Sequence, residues 1–239
     1  VAYPHKVSGT VLNCWDHANT FTGMPQTDMA HIISIIDDMK ASYNIDESRI
    51  FVTGLSSGGG LTNCLAEHYP STFAGFAPMA GPTCSSSQNN PANVKGIIWH
   101  SPSDSASDGD QILPRWGSRH SGASKTVNTT LKGYTYEAYT KDGEEVIAMV
   151  TIQMAHGITV DPGTDEDQGG NSNLAYTYDM NIHSSYYTAK FWGILNTDKV
   201  APVANVTSPA NNQSVLGTVT INAAATDANG VVKVEFFVD

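Results

Sequence analysis

Along residues 27–43 the apolar positions fall at Met29, Ile32, Ile33, Ile36, Met39 and Tyr43. Steps of three and four residues put them on one face of a helix, and Thr27 stands where a capping residue belongs. A turn is expected at 44–48. The pattern then changes: Arg49-Ile50-Phe51-Val52-Thr53 is a short β-branched and aromatic run, which reads as a buried strand. Residues 54–60 form a Gly/Ser turn, and 61–69 return to helical character. Further short apolar runs at 73–79 and 96–100 predict a second and a third strand. Runs at 134–139 and 146–153 flank Lys141-Asp142-Gly143, the composition of a hairpin turn. Residues 157–173 are polar and Gly-rich and read as a long loop. A last helix is expected over 180–195, capped by Asp179, with Ile182, Tyr186, Ala189 and Trp192 on one stripe. Short buried strands alternating with helices predict an α/β fold with a mostly parallel sheet.

After Asn196 the helical period disappears. Residues 200–239 are rich in Val, Thr, Ala and Asn, with breaks at Pro202, Pro209 and Gly217. Period-two alternation at 218–223 and 232–238 predicts β-sandwich strands. Two domains are therefore expected, 1–197 and 198–239, the second too short for a complete sandwich. No internal repeat is found. The chain opens Val1-Ala2-Tyr3-Pro4 and stops within a strand-like run, so it is expected to be a piece of a longer protein.

Composition narrows the function classes. A chain of 239 residues with 40% hydrophobic residues can bury a substantial core, which excludes a hormone-sized or disulfide-held miniprotein. A formal charge of −11 argues against nucleic acid and anionic membrane surfaces as partners. No apolar run is long enough to span a bilayer. The low charge and the abundance of Ser, Thr, Asn and Gly suit a secreted protein. Cys14, Cys64 and Cys84 are the three cysteines, in no metal-binding spacing. Their pairing is open: some or all are buried thiols, or one has a partner outside the chain.

Gly54-Leu55-Ser56-Ser57-Gly58 fits Gly-x-Ser-x-Gly. Five residues alone are a weak signal, but this match sits between a predicted strand and a predicted helix. There a sharp turn lifts the serine hydroxyl above the sheet, and the helix N-terminus aims N–H groups at developing negative charge. A serine needs a base, and the base needs an orienting acid. In a fold of this kind they follow in the order acid, then histidine, after later strands. Asp104 closely follows the strand at 96–100, and His156 closely follows the strand at 146–153. Ser56 is thus the expected nucleophile, His156 the base and Asp104 the acid, with the Ser57 backbone N–H as an oxyanion donor. Asp108 and Asp110 share the loop with Asp104 and are rival acids, and His100 is the rival histidine. His31 and His68 fall on helices. The acidic stretch from Asp161 to Asp167 reads as a solvated loop in preference to a Ca²⁺ site, and no metal or other cofactor is expected. Trp15, Trp99, Trp116 and Tyr134 could line a substrate groove, Trp15 and Trp99 being the candidate substrate contacts.

Several further motifs occur in order: Asn13-Cys14-Trp15-Asp16, the run from Arg49 through Gly59, His100-Ser101-Pro102-Ser103-Asp104, His156-Gly157-Ile158-Thr159-Val160-Asp161-Pro162-Gly163, and Asp179-Met180-Asn181-Ile182 with Phe191-Trp192-Gly193. With them, residues 1–195 resemble the extracellular poly(3-hydroxybutyrate) depolymerases, within a wider esterase family of the same fold. The resemblance implies an α/β-hydrolase-type sheet whose first strands are missing from this chain. It implies a triad of Ser56, Asp104 and His156, and a monomer acting on an insoluble polyester or its oligomers. A second oxyanion donor, and a disulfide partner for Cys14, would lie in the part absent here. The fragment alone is expected to be poorly stable and weakly active. One departure is that the family's His-Gly before the acid is His100-Ser101 here. The tail resembles bacterial immunoglobulin-like modules. Alternative expectations are a feruloyl or acetylxylan esterase, or a noncatalytic surface-binding protein built on a degenerate hydrolase domain.

Overall fold

A six-stranded sheet is the centre of the first of two units, Val1–Gly193; the second unit is Ile194–Asp239. The computed structural model describes residues 1–4, 14–15, 26–84, 94–195, 201–227, 231 and 234–236. The strands are β1 (Phe51–Leu55), β2 (Gly75–Met79), β3 (Lys95–His100), β4 (Ser124–Leu131), β5 (Tyr134–Lys141) and β6 (Glu144–Thr151). Their order across the sheet is β1-β2-β3-β6-β5-β4. β1, β2, β3 and β6 run parallel, while β5 and β4 continue the sheet antiparallel.

The parallel strands are apolar at successive positions because helices cover both faces. Successive side chains point to opposite sides, so along β3 Ile98 joins one core and Ile97 and Trp99 the other. The first core gathers Met29, Leu65, Phe76 and Trp116, from α1 (Gln26–Ser42), α2 (Ser57–His68), β2 and α3 (Gly109–Arg119). The second gathers Ala77, Val150, Ile182 and Tyr187, the last from α4 (Ser184–Phe191). A buried charge also joins α2 to α3. Glu67 Oε2 accepts from Arg115 Nη2 at 2.8 Å, and Glu67 Oε1 lies 3.5 Å from Arg119 Nη1. A disulfide between Cys64 and Cys84 ties α2 to the chain beyond β2.

Several elements differ from the sequence pattern. Helix α3 contains Pro114, and residues around Asp104 to Asp110 read as loop. Burial overrides that weak propensity: Ile112, Leu113 and Trp116 are almost fully enclosed, and the Trp116 ring packs 4.3 Å from Phe76. Strand β4 was invisible because its residues are polar and exposed, an edge held by pairing to β5. Helix α1 starts at Gln26, so Thr27 lies inside it and is not its cap. Helix α4 is shorter than expected and begins after His183, not Asp179. Asp179 belongs instead to β8 (Thr177–Asp179), which pairs in parallel with β7 (Ile158–Val160) inside the stretch read as a loop and beyond it. Asn181, at φ 52°, turns the chain between β8 and α4.

In the second unit, β9 (Val203–Ser208) pairs antiparallel with β10 (Asn222–Thr226). The second strand thus starts near the end of the run expected at 218–223. Of the run at 232–238, positions 232, 233, 237 and 238 lie outside the described residues.

Candidate active site

Ser56 sits at the end of β1 and the start of α2 with φ 59° and ψ −122°. A non-glycine residue there costs about 1–3 kcal/mol and persists only when its surroundings fix it. Here the Ser56 N–H donates to the Met79 carbonyl at 2.9 Å, and its carbonyl accepts from the Gly60 N–H at 3.0 Å. The neighbouring glycines make the turn possible. A Cβ on Gly54 would lie 2.5 Å from the Gly58 carbonyl carbon, and one on Gly59 would lie 2.9 Å from Gly81 Cα. The Ser57 amide is in the first turn of α2, where backbone N–H groups lack helical partners. Its hydroxyl accepts from the Trp15 N–H at 3.2 Å. Half-buried Trp15 therefore stands beside the turn, 3.6 Å from where a Cβ on Gly58 would be.

Asp104 and His156 come together from different loops. Asp104 Oδ2 lies 2.6 Å from His156 Nδ1. The carboxylate is buried and the imidazole part-exposed, so a proton on Nδ1 is held by the acid while Nε2 remains for chemistry. Asp104 Oδ1 accepts from the Ala106 N–H at 3.0 Å, which fixes the carboxylate plane. Ser56 follows β1, Asp104 follows β3 and His156 follows β6, three mutually parallel strands. All three residues therefore lie beyond the same, C-terminal, end of the sheet. The Tyr176 ring meets the His156 ring edge-on at 5.9 Å. Sequence pattern gave no hint of Tyr176, whose φ of 59° turns the chain just before β8.

The rivals have other partners. Asp108 Oδ2 accepts from the Thr83 N–H at 2.9 Å and so joins the start of α3 to the chain after β2. Asp110 is exposed, 3.5 Å from His100 Nε2. His100 is buried, and its Nδ1 accepts from the Gly109 N–H at 3.2 Å. Burial pushes the His100 pKa down, despite the nearby carboxylates of Asp110, Asp104 and Asp108. Trp99, a candidate substrate contact, is buried in the second core and its indole N–H donates to Thr188 Oγ1 at 2.9 Å. Trp116 is likewise core, and the Tyr134 hydroxyl donates to the Met180 carbonyl at 2.7 Å.

The acidic loop is not simply solvated. Asp161 is buried and accepts from Gln168 Nε2 at 3.2 Å. Asp167 Oδ2 accepts from Lys132 Nζ at 2.7 Å and from the Tyr187 hydroxyl at 2.8 Å. The Lys132 contact, with that hydroxyl, holds the Asp167 carboxyl below its ordinary range. Among the described residues no group of three or more His, Cys, Asp or Glu side chains could hold a metal ion.

A mostly parallel α/β sheet thus carries a strand-to-helix serine turn and an Asp–His pair at the same sheet end. Residues 1–104 match the family model Esterase PHB depolymerase, and residues 202–239 match that of the Bacterial Ig domain. Poly(3-hydroxyalkanoate) depolymerase C of Paucimonas lemoignei is 33% identical over 235 residues, 82% of this chain and 56% of that protein. Feruloyl esterase B of Talaromyces stipitatus is 28% identical over 194 residues, 63% of this chain and 54% of that protein. Acetylxylan esterase A of Emericella nidulans is 39% identical over 84 residues, 34% of this chain and 27% of that protein. The chain spans about half the length of the first two relatives.

Proposed function

We propose that this chain belongs to a serine ester hydrolase that cleaves poly(3-hydroxybutyrate) or a related short-chain polyhydroxyalkanoate. The observation that carries the mechanism is the 2.6 Å pairing of His156 Nδ1 with Asp104, at the sheet end that also bears Ser56. Ser56 Oγ attacks the acyl carbon while His156 Nε2 takes its proton. Asp104 orients the ring and stabilises the imidazolium. The Ser57 N–H, at the positive end of α2, donates to the oxyanion. The imidazolium then protonates the leaving alcohol, and the acyl group stays on Ser56. Water, deprotonated by His156, attacks the acyl-enzyme and releases the hydroxy acid.

The polyester reading is supported by the identity to the Paucimonas lemoignei depolymerase over most of this chain. A feruloyl or acetylxylan ester is the second reading, supported by the feruloyl and acetylxylan esterase relatives. The Cys64–Cys84 disulfide fits a secreted enzyme, because such bonds persist in oxidising compartments. The enzyme acts as a monomer on polymer or oligomers, with neither nucleic acid nor membrane as a partner.

The test is the clearing of a poly(3-hydroxybutyrate) granule suspension, with Ser56→Ala in parallel. Clearing that the variant abolishes is expected. Ser56-dependent cleavage of a soluble short-chain ester without clearing moves the substrate to the second reading. Clearing that persists in Ser56→Ala overturns the mechanism.

A further inference from the structure

We propose that Ser101 is a positioning residue, which locks the Asp104 loop to the His156 loop so that carboxylate and imidazole meet. The inference rests on the triad reading above and adds a residue to it. β3 and β6 are neighbours, and their register ends at His100 opposite Thr151. The last backbone bond between them runs from the Ile152 N–H to the His100 carbonyl at 2.9 Å. Beyond that point the two chains separate into the loops that carry Asp104 and His156.

Ser101 spans the gap. Its hydroxyl donates to the Met154 carbonyl at 2.6 Å and accepts from the Met154 N–H at 3.2 Å. It also accepts from the Ser103 N–H at 3.3 Å. One hydrogen and both lone pairs are thereby used, on a residue only 1% exposed. The side chain takes the place of the next rung of the sheet. It engages both backbone groups of Met154, two residues before His156, from a point three residues before Asp104. A backbone N–H could not do this, because it offers a donor without an acceptor. Removing the hydroxyl leaves the Met154 N–H without that acceptor and releases the spacing between the loops. A misplacement near 1 Å in a catalytic arrangement can cost on the order of a hundredfold in rate.

The test follows hydrolysis of p-nitrophenyl butyrate at fixed pH. Ser101→Ala is expected to lower kcat about tenfold, with KM changed less than about twofold. In an Asp104→Asn background the same change costs less than about twofold, since the pair it serves is already broken. Ser101→Thr keeps the hydroxyl and retains most of the activity. Unchanged kcat in Ser101→Ala overturns the inference. So does an equal loss in both backgrounds, or a Ser101→Ala chain with no folded population. Asp104→Asn with undiminished kcat overturns the triad reading itself, and the inference with it.

Discussion

Replacing both Cys64 and Cys84 by alanine tests how the helix behind the serine turn is held. The bond closes a loop with a sequence separation of 20. For such a loop the chain-entropy argument gives roughly 3 kcal/mol at 25 °C, through restriction of the unfolded chain. Both side chains are almost fully buried, so alanine avoids enclosing a new hydroxyl and adds only a small cavity cost. In a unit the size of Val1–Gly193, that loss lowers the unfolding midpoint by roughly 6–12 °C. The assay is thermal and guanidinium unfolding followed by circular dichroism, with and without dithiothreitol. The parent is expected to lose the same amount on reduction, and the double variant to be insensitive to reductant. A double variant within about 1 kcal/mol of the parent would refute the loop-closure reasoning. A reductant effect that persists in the variant would show that the reductant acts on something other than this bond.

Glu67→Gln leaves buried Arg119 and its neighbour Arg115 without their carboxylate, and is expected to cost about 3–5 kcal/mol by denaturant titration. Asp104→Asn keeps the shape of the His156 contact but not its charge or tautomer, so kcat is expected to fall on the order of 10⁴-fold in single-turnover ester hydrolysis. Burial lowers the pKa values of His100, His120 and His183. The unfolded chain therefore binds more protons below about pH 6.5, and stability falls as pH drops through and below that value. Unfolding midpoints at pH 7.5 and 5.5 read this out; a His100→Gln, His120→Gln variant is expected to flatten the difference, and an unchanged slope would exclude these histidines as its source.

Much of the architecture was legible in local pattern. The parallel strands announce themselves because they are covered on both faces, and so carry apolar residues at successive positions. The serine turn is legible because its geometry demands small residues: Gly54 and Gly59 stand where any Cβ would strike backbone. After Asn196 the helical period gives way to a period-two alternation, and β9 and β10 pair in that part of the chain. What the pattern left out was decided by packing. Pro114 argues against a helix, yet Trp116 and its neighbours are enclosed strongly enough to make one. Polar β4 carries no apolar period because its backbone pairing, and not its side chains, holds it to the sheet.

The chain alone therefore shows a strand-to-helix serine turn, with Asp104 and His156 placed after later strands. Asp104 is the acid it points to, although Asp108 and Asp110 lie close to it in sequence and are rivals by spacing alone. The tertiary structure gives each carboxylate a different neighbour: His156 for Asp104, Thr83 for Asp108, and solvent with the edge of His100 for Asp110. It also decided that Cys64 meets Cys84, that Trp99 is core, and that Ser101 bridges two loops. Each of these depends on the distance between residues far apart in the chain. Strand register and helix packing set that distance, whereas hydrophobic period reports only which face of its own element a residue occupies.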